Sequence, residues 1–119
     1  MIAQENPSLY TFSMQLLIVD DSPLILSALQ RMLQGQVPAK DIHLAENVHT
    51  ARSLLKEHSY EAIILDIELP DGNGFELLTH IRENIPTPIV IILTNYAMSS
   101  NREKATRLGA DYFLDKSNE

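Results

Sequence analysis

Four apolar stretches of this sequence each lead directly into polar residues that could share one chemical site. Asp20 and Asp21 follow the first stretch, Asp66 the second, Thr94 the third and Lys116 the last. Carboxylate oxygens are the ligands that a hard cation such as Mg²⁺ prefers, and an ammonium beside a hydroxyl suits a phosphate. Metal and ammonium together neutralise the charge of a transferring phosphoryl group. These residue types therefore suggest phosphoryl transfer to a carboxylate.

Each of these residues also has an ordinary structural explanation. Asp20 and Asp21 precede a helical pattern, and acidic side chains at a helix N-terminus meet its unpaired N–H groups, so the pair alone fits capping better. Asp66 could begin a loop, Thr94 could cap a strand end, and Lys116 could be a solvated surface lysine. The site hypothesis therefore depends on whether the fold brings the five residues together.

Apolar runs alternate with helical patterns along the chain, which predicts a parallel sheet covered by helices on both faces. Strands of the type buried on both faces are indicated at residues 15–20, 61–66 and 88–94, a half-polar strand at 41–45, and a last strand at 111–115. The half-polar strand belongs at an edge and the three apolar ones in the middle. These constraints predict an α/β, doubly wound five-stranded sheet in the flavodoxin-like order 2-1-3-4-5.

The carboxyl ends of parallel strands lie at one edge of a sheet, where ligands bind. Residues almost 100 positions apart along this chain are therefore expected to meet in one cleft. Three carboxylates gathered there would repel one another and raise each other's pKa values unless a cation neutralised them.

The last part of the sequence has one helical pattern with few apolar residues and little chain after the final strand. The fourth helical pattern, about residues 99–108, has only Met98, Ala105 and Leu108 for apolar contact, and we expect it to be weakly anchored and mobile. The sequence ends at Glu119, shortly after the fifth predicted strand, so we expect no room for a further helix after that strand. Part of one sheet face would then be bare, and exposed apolar patches usually contact something, whether a further segment or a partner chain.

Composition narrows the class of protein. The 119 residues suffice for one domain, with residues 1–14 expected to be a flexible leader and residues 15–119 the domain. The formal net charge of -7 argues against direct contact with nucleic acid or an anionic membrane, since both need clustered Lys and Arg. The absence of cysteine suits a reducing cytoplasm. No apolar run approaches the roughly 20 residues that a membrane helix needs.

From about Met14 to Ser117 the chain resembles the receiver domain of two-component response regulators. The resemblance is carried by the segments VDDSP at 19–23, LDIELPDGNG at 65–74, LT at 93–94 and GADYFLDK at 109–116. Their order and spacing make the match more specific than any single motif.

The resemblance implies a role for each residue of the acidic group. Asp66 would be the phosphoacceptor, taking a phosphoryl group from a phosphohistidine to form an acyl phosphate. Asp21 and Asp66 would ligate Mg²⁺ directly, with the backbone carbonyl of Glu68 as a third protein ligand. Asp20 would act through water or by orienting Asp21.

The resemblance also implies a switch. Thr94 and Lys116 would hold phosphoryl oxygens. On phosphorylation Thr94 would move inward and Phe113 would fill the space left, which would change the surface of the fourth helix and fifth strand. Without the resemblance, Phe113 is equally well explained as an ordinary strand residue.

By the same resemblance the protein is a bacterial phosphorelay signalling module and not a turnover enzyme, with at most slow self-dephosphorylation. Its partners would be a histidine kinase or phosphotransfer protein and a downstream effector or output domain. The sequence leaves the oligomeric state open, with a dimer among the alternatives.

The chain departs from the family pattern around the predicted site. Asn95 stands where the family usually has a small residue, which implies slower or more selective access to the acceptor. Glu68 and Tyr96 occupy the two variable positions that tune phosphoryl lifetime. Ser117 follows Lys116 where proline, with a cis bond before it, is usual. A non-proline cis peptide costs about 3 kcal/mol, so the sequence leaves that isomer open.

Two other functions remain as alternatives. A phosphatase of the haloacid dehalogenase type also uses a strand-end aspartate and Mg²⁺, but it needs an Asp-x-Asp pair after its first core strand. The nearest equivalent here is Asp66-x-Glu68 on the third strand. A pseudo-receiver would bind a partner without being phosphorylated, and the complete set of five site residues argues against it.

Overall fold

The computed structural model describes residues 14–85 and 87–117. The leader expected over residues 1–14 falls almost entirely outside these ranges. Among the described residues, no helix is both long and apolar enough to cross a membrane.

A five-stranded parallel sheet forms the centre of the molecule. Its strands are β1 (Leu16–Val19), β2 (Ile42–Ala45), β3 (Ala62–Leu65), β4 (Ile89–Thr94) and β5 (Tyr112–Asp115). Their order is β2-β1-β3-β4-β5, and all four pairings are parallel. The predicted doubly wound, flavodoxin-like topology is confirmed, with the half-polar β2 at one edge.

Four α-helices connect the strands within the described residues. They are α1 (Pro23–Leu33), α2 (Val48–Glu57), α3 (Gly74–Asn84) and α4 (Ser99–Arg107). The expectation of a missing fifth helix agrees with this number. A short 3-10 helix, Ala39–Asp41, precedes β2. Side-chain caps begin the first three helices, because Ser22, Asn47 and Asn73 each accept an N–H from the first turn that follows.

Apolar residues on the two faces of the sheet form two layers. On one face Val19, Leu65 and Ile92 pack with α2 and α3, where Leu78 and Ile81 are completely buried. On the other face a smaller cluster centres on Leu16, Ile18, Leu26, Val37 and Ile42. Successive residues of β1 are therefore buried on opposite faces, as the uninterrupted apolar run predicted.

The smaller layer leaves part of its face uncovered. Tyr112 and Leu114 of β5 are 60% and 51% exposed, and Ile89 of β4 is 48% exposed. A groove of about 550 Å³ lies between α1 and β5, with Leu29 and Leu114 among its lining residues. This bare strip lies where the sequence predicted an uncovered sheet face.

Helix α4 contacts the rest of the domain through the buried Ala105, the half-buried Leu108 and two cations that lie over aromatic rings. Ala105 is its one buried residue, and Met98, expected to anchor it, is 56% exposed because it precedes the helix and faces solvent. The Arg102 guanidinium lies 4.7 Å from the centroid of the Phe113 ring, and the Lys104 ammonium lies 4.7 Å from that of Phe75. Such contacts each contribute about 0.5–1 kcal/mol at exposed sites. With one buried residue in the helix, the weak anchoring predicted from the sequence is confirmed.

Arg82, near the end of α3, ties the amino edge of the sheet together. Its guanidinium donates to the carbonyl oxygens of Pro88 (2.7 Å) and Gly109 (2.8 Å) and to the Asp111 carboxylate (2.7 Å). Asp111 in turn accepts the backbone N–H of Val90 at 2.8 Å. Gly109 has a φ of 103° in the left-handed region, and a Cβ there would lie 2.9 Å from Arg82 Cγ. One arginine thereby joins α3, the start of β4 and the turn before β5.

Candidate acidic site at the carboxyl edge of the sheet

Backbone hydrogen bonds place Asp20 and Asp66 side by side at the ends of adjacent strands. The N–H of Asp20 donates to the Ala45 carbonyl and that of Asp66 to the Val19 carbonyl, both at 3.0 Å. The sheet pairing therefore continues one residue beyond β1 and β3, up to the two aspartates. Both side chains are buried at the carboxyl edge, as the strand-end pattern predicted.

Lys116 reaches this pair from the far side of β4. Its backbone N–H donates to the Thr94 carbonyl at 2.9 Å, which extends the pairing of β5 with β4. Its ammonium Nζ lies 2.6 Å from Asp20 Oδ2 and 2.8 Å from Asp66 Oδ2. One partly buried cation therefore bridges two buried carboxylates that follow different strands.

Asp21 completes an acidic group with a solvent-facing side. One carboxylate oxygen each from Asp20, Asp21 and Asp66 lies within 4.8 Å of the others. Asp21 is exposed, so the group opens to solvent on that side. The donors are all oxygens, which fits a hard divalent cation and not a softer metal such as Zn²⁺.

Burial and hydrogen bonding set the protonation of the site. Burial raises the pKa of Asp20, although hydrogen bonds from Lys116 and from the Ser22 N–H partly offset that rise. For Lys116, burial lowers the pKa, but the hydrogen bonds to Asp20 and Asp66 outweigh it and the net pKa is raised. Lys116 is therefore charged at neutral pH. It supplies one positive charge to a group of three carboxylates, and the remaining negative charge favours a cation.

The Asp66 carboxylate is fixed in orientation by two contacts. Oδ1 accepts the N–H of Ile67 at 2.7 Å, and Oδ2 accepts Lys116. Gly74 lies directly beside the backbone, since a Cβ there would be 2.1 Å from the Asp66 carbonyl oxygen. Only glycine allows α3 to begin this close to the end of β3.

Thr94 and Phe113 both lie inside the protein. Thr94 is completely buried, and its Oγ1 accepts the N–H of Tyr96 at 3.1 Å, which leaves the hydroxyl proton available for donation. Phe113 belongs to the larger core layer, beneath the Arg102 guanidinium, which also donates to the Phe113 carbonyl at 3.1 Å. The threonine predicted for the site and the aromatic predicted for the switch thus lie on adjacent strands.

The loop between β3 and α3 contains structure that the sequence did not predict. Glu68–Leu69 and Gly72–Asn73 form a small antiparallel ribbon of two residue pairs. Asp71, at the tip of this ribbon, accepts two backbone N–H groups from α2. Side chains at turn tips usually face solvent, so no local pattern could have indicated this contact.

Ser117, which stands where the family usually has proline, does not prevent Lys116 from reaching Asp20 and Asp66. All peptide bonds of the described residues are trans, including that between Lys116 and Ser117. Ser117 donates from its N–H (2.9 Å) and its hydroxyl (2.6 Å) to Asp115 Oδ1, and these bonds lower the pKa of Asp115.

Comparisons with known proteins match this arrangement. A family model of the response regulator receiver domain matches residues 16–119. Transcriptional regulatory protein SrrA of Staphylococcus aureus is 36% identical over 104 residues, which cover 87% of this chain and 42% of SrrA. The chain thus spans less than half the length of that relative.

Two solved structures have the same fold. A response regulator protein from Burkholderia pseudomallei, solved with a phosphorylated aspartic acid, a calcium ion and citrate, has a TM-score of 0.80 at 25% identity, covering 89% of this chain and 61% of that chain. Response regulator protein TrrA from Thermotoga maritima, in complex with Mg²⁺-BeF, has a TM-score of 0.77 at 31% identity, covering 89% of each chain. With the family model matched from β1 onward, the chain belongs to the response regulator receiver domain family.

Proposed function

We propose that Asp66 is the phosphoacceptor of this receiver domain and that it takes the phosphoryl group from a phosphohistidine of a histidine kinase or phosphotransfer protein. Receiver domains are signalling domains, and this one acts as a phosphorylation-controlled binding module. The proposal is supported above all by the position of Lys116, whose ammonium touches both Asp66 and Asp20 inside the protein.

In the transfer, an Asp66 carboxylate oxygen attacks phosphorus while the bond from phosphorus to the histidine nitrogen breaks, and the nitrogen keeps the bonding electrons. The product is an acyl phosphate on Asp66. Lys116 then contacts a phosphoryl oxygen instead of the carboxylate alone, and the Thr94 hydroxyl donates to another. A divalent cation held by the acidic group would supply further charge neutralisation.

Mg²⁺ is the cation that we propose for this site. Asp21 and Asp66 would bind it directly together with the Glu68 carbonyl, and Asp20 would act through water or by orienting Asp21. The support is the all-oxygen donor set and the excess of negative charge that Lys116 leaves.

Phosphorylation changes the α4–β5 surface in this proposal. When Thr94 moves toward the phosphoryl group, Phe113 occupies the space it leaves, and Arg102, which contacts both the ring and the carbonyl of Phe113, moves with it. A helix with one buried residue can shift at low cost. The α4–β5 surface would then present a different face to a downstream effector or output domain.

We propose that this domain does not itself bind nucleic acid, because its net charge is -7. SrrA is a transcriptional regulatory protein, and this chain matches 42% of its length. We propose a cytoplasmic location, as the cysteine-free composition suits it.

The direct test is incubation with acetyl phosphate and Mg²⁺, followed by intact mass measurement. The wild type is expected to gain one phosphoryl group, and Asp66→Asn none. Glu83→Gln, which neutralises an exposed carboxylate near the end of α3, is the control and should be phosphorylated like the wild type.

Other outcomes would identify the alternatives. A wild type that gains no phosphoryl group under these conditions would be a pseudo-receiver. Rapid turnover of a phosphate monoester such as p-nitrophenyl phosphate would favour a phosphatase of the haloacid dehalogenase type. Retention of the phosphoryl group by Asp66→Asn would place the acceptor elsewhere.

A further inference from the structure

Asp71 joins the loop after β3 to the beginning of α2. Its two carboxylate oxygens accept the backbone N–H groups of Val48 (2.7 Å) and His49 (2.9 Å), which are the first two residues of that helix. Asn47, the residue before the helix, accepts the next N–H, that of Thr50, at 2.7 Å. Half of the four N–H groups that a helix N-terminus leaves unpaired are thus satisfied by a residue more than 20 positions away.

The loop that Asp71 holds is short and closely packed. Glu68 pairs with Asn73 and Leu69 with Gly72, so the ribbon has two residue pairs. A ribbon this small has little stability of its own. A Cβ at Gly72 would lie 3.1 Å from a methyl group of Val48, which means that the ribbon backbone lies directly against the start of α2.

The opposite end of the same loop is fixed to the acceptor strand. The N–H of Gly74 donates to the Ile67 carbonyl at 2.6 Å, and the backbone at Gly74 is in contact with the Asp66 carbonyl. Glu68 therefore lies between an anchor at β3 and an anchor at α2. Leu69 is also buried in the larger core layer, so loss of the α2 anchor would leave this side of the Glu68 backbone held by the Leu69 side chain and the two-pair ribbon alone.

We propose that Asp71 is a positioning residue for the divalent cation site: by holding the ribbon against α2 it fixes the Glu68 carbonyl relative to Asp66. This inference rests on the proposed function, in which that carbonyl is a ligand. A ligand that is held in place before the cation arrives costs less conformational entropy on binding. Groups that orient metal ligands without touching the metal typically change affinity by about 10- to 100-fold.

The experiment compares Asp71→Ala with Asn47→Ala. Both substitutions remove hydrogen bonds from the first turn of α2, but only the first releases the ribbon. Each is expected to lower the melting temperature by about 4–8 °C. Mg²⁺ affinity, measured by calorimetric titration well below both melting temperatures, is expected to fall about tenfold in Asp71→Ala and to stay at the wild-type value in Asn47→Ala.

Asp71→Asn extends the test should the alanine variant fold poorly. It keeps one acceptor oxygen and loses the charge, so its Mg²⁺ affinity should lie between those of the wild type and Asp71→Ala. Equal loss of Mg²⁺ affinity in Asp71→Ala and Asn47→Ala would mean that Asp71 acts through helix stability alone, and would overturn the inference. Unchanged affinity in every Asp71 variant would overturn it as well.

The two proposals can fail separately. If the wild type binds Mg²⁺ but gains no phosphoryl group from acetyl phosphate, the proposed function fails while the affinity comparison still decides the role of Asp71. If the wild type is phosphorylated and the Asp71 variants bind Mg²⁺ normally, only the positioning role fails.

Discussion

Lys116 is the partly buried cation that pairs with the buried carboxylates of Asp20 and Asp66. It is 2.6 Å and 2.8 Å from two carboxylates whose side chains are almost completely buried. In a buried pair of this kind the attraction largely offsets the loss of hydration, whereas removal of one partner leaves the other unpaired. The lysine is therefore expected to stabilise the folded domain, in addition to the role proposed for it in phosphoryl transfer.

Lys116→Met is expected to lower the free energy of unfolding at neutral pH by about 3 kcal/mol, because Asp20 and Asp66 are left buried together without a cation. Burial already raises the pKa of Asp20 in the wild type, and removing Lys116 raises it further. A carboxyl whose pKa is raised by folding binds its proton more tightly in the folded state. The stability of the variant should therefore increase as the pH falls from neutral toward 5.

The measurement is urea denaturation of Lys116→Met between pH 5 and pH 8, with and without Mg²⁺. Mg²⁺ should restore more stability to the variant than it adds to the wild type, since it supplies the missing charge. Lys40→Met, which alters an exposed lysine far from the acidic group in sequence, is the control and should behave like the wild type. A variant whose stability is independent of both pH and Mg²⁺ would contradict the charge pairing.

At this scale, the sequence indicated the acidic group and its lysine correctly as neighbours. Asp20, Asp66 and Lys116 each follow an apolar run, and the ends of parallel strands meet whatever the details of packing. The partners of Asp71 and Arg82 could not be predicted in the same way, because each contact joins side chain to backbone over 20 or more positions and leaves no periodic pattern.

At the scale of elements, the junction of β3 and α3 depends on the missing side chain of Gly74. A methyl group there would lie 2.1 Å from the Asp66 carbonyl oxygen, and that neighbour is backbone, which cannot rotate away. The glycine thus sets how close α3 begins to Asp66.

Gly74→Ala is expected to destabilise the protein by about 3 kcal/mol and to slow phosphorylation by acetyl phosphate, because the backbone at Asp66 must shift to make room. Gly35→Ala is the matched control, since a Cβ at Gly35 meets nothing within 4 Å and its φ is not positive. That variant should be stabilised by about 0.4–1 kcal/mol. Chemical denaturation and intact mass kinetics on both proteins test the pair, and equal stabilities would refute the close approach.

The elements themselves were mostly predictable, with ends shifted by one or two residues. The apolar run at 88–94 became β4 at Ile89–Thr94, and the weak helical pattern at 99–108 became α4 at Ser99–Arg107. The ribbon was missed because each of its strands has two residues, too few for any alternation. The cation–ring contacts of α4 were not predicted, because Arg102 and Lys104 cannot be told from ordinary solvated cations in the sequence.

At the scale of the whole molecule, the main exposed apolar surface is the strip between α1 and β5. Apolar side chains on this strip have no covering element among the described residues, and the groove beside them is large enough for a small aromatic probe. Its position was predictable from the number of helices. The exposure of each residue on it was not, because that depends on how α1 lies against the sheet.

Leu114→Gln is expected to reduce the fluorescence of the apolar dye ANS bound to the protein, because it places a polar group in the lining of the groove. Leu24→Gln is the control, since Leu24 is 82% exposed, more than Leu114, but does not line the groove. Dye titration at matched protein concentration measures both. A larger effect of Leu24→Gln would mean that the groove is not the apolar surface accessible to solutes.

The contacts of Arg82 have a consequence for how the domain can change shape. They clamp the starts of β4 and β5 at the edge of the sheet farthest from Asp66. If Asp66 is phosphorylated as proposed, the added charge would act at the opposite end of two strands that Arg82 holds together. We expect displacement to be larger at Thr94 and Phe113 than at Gly109, which would make the Arg82 contacts the fixed point of the change.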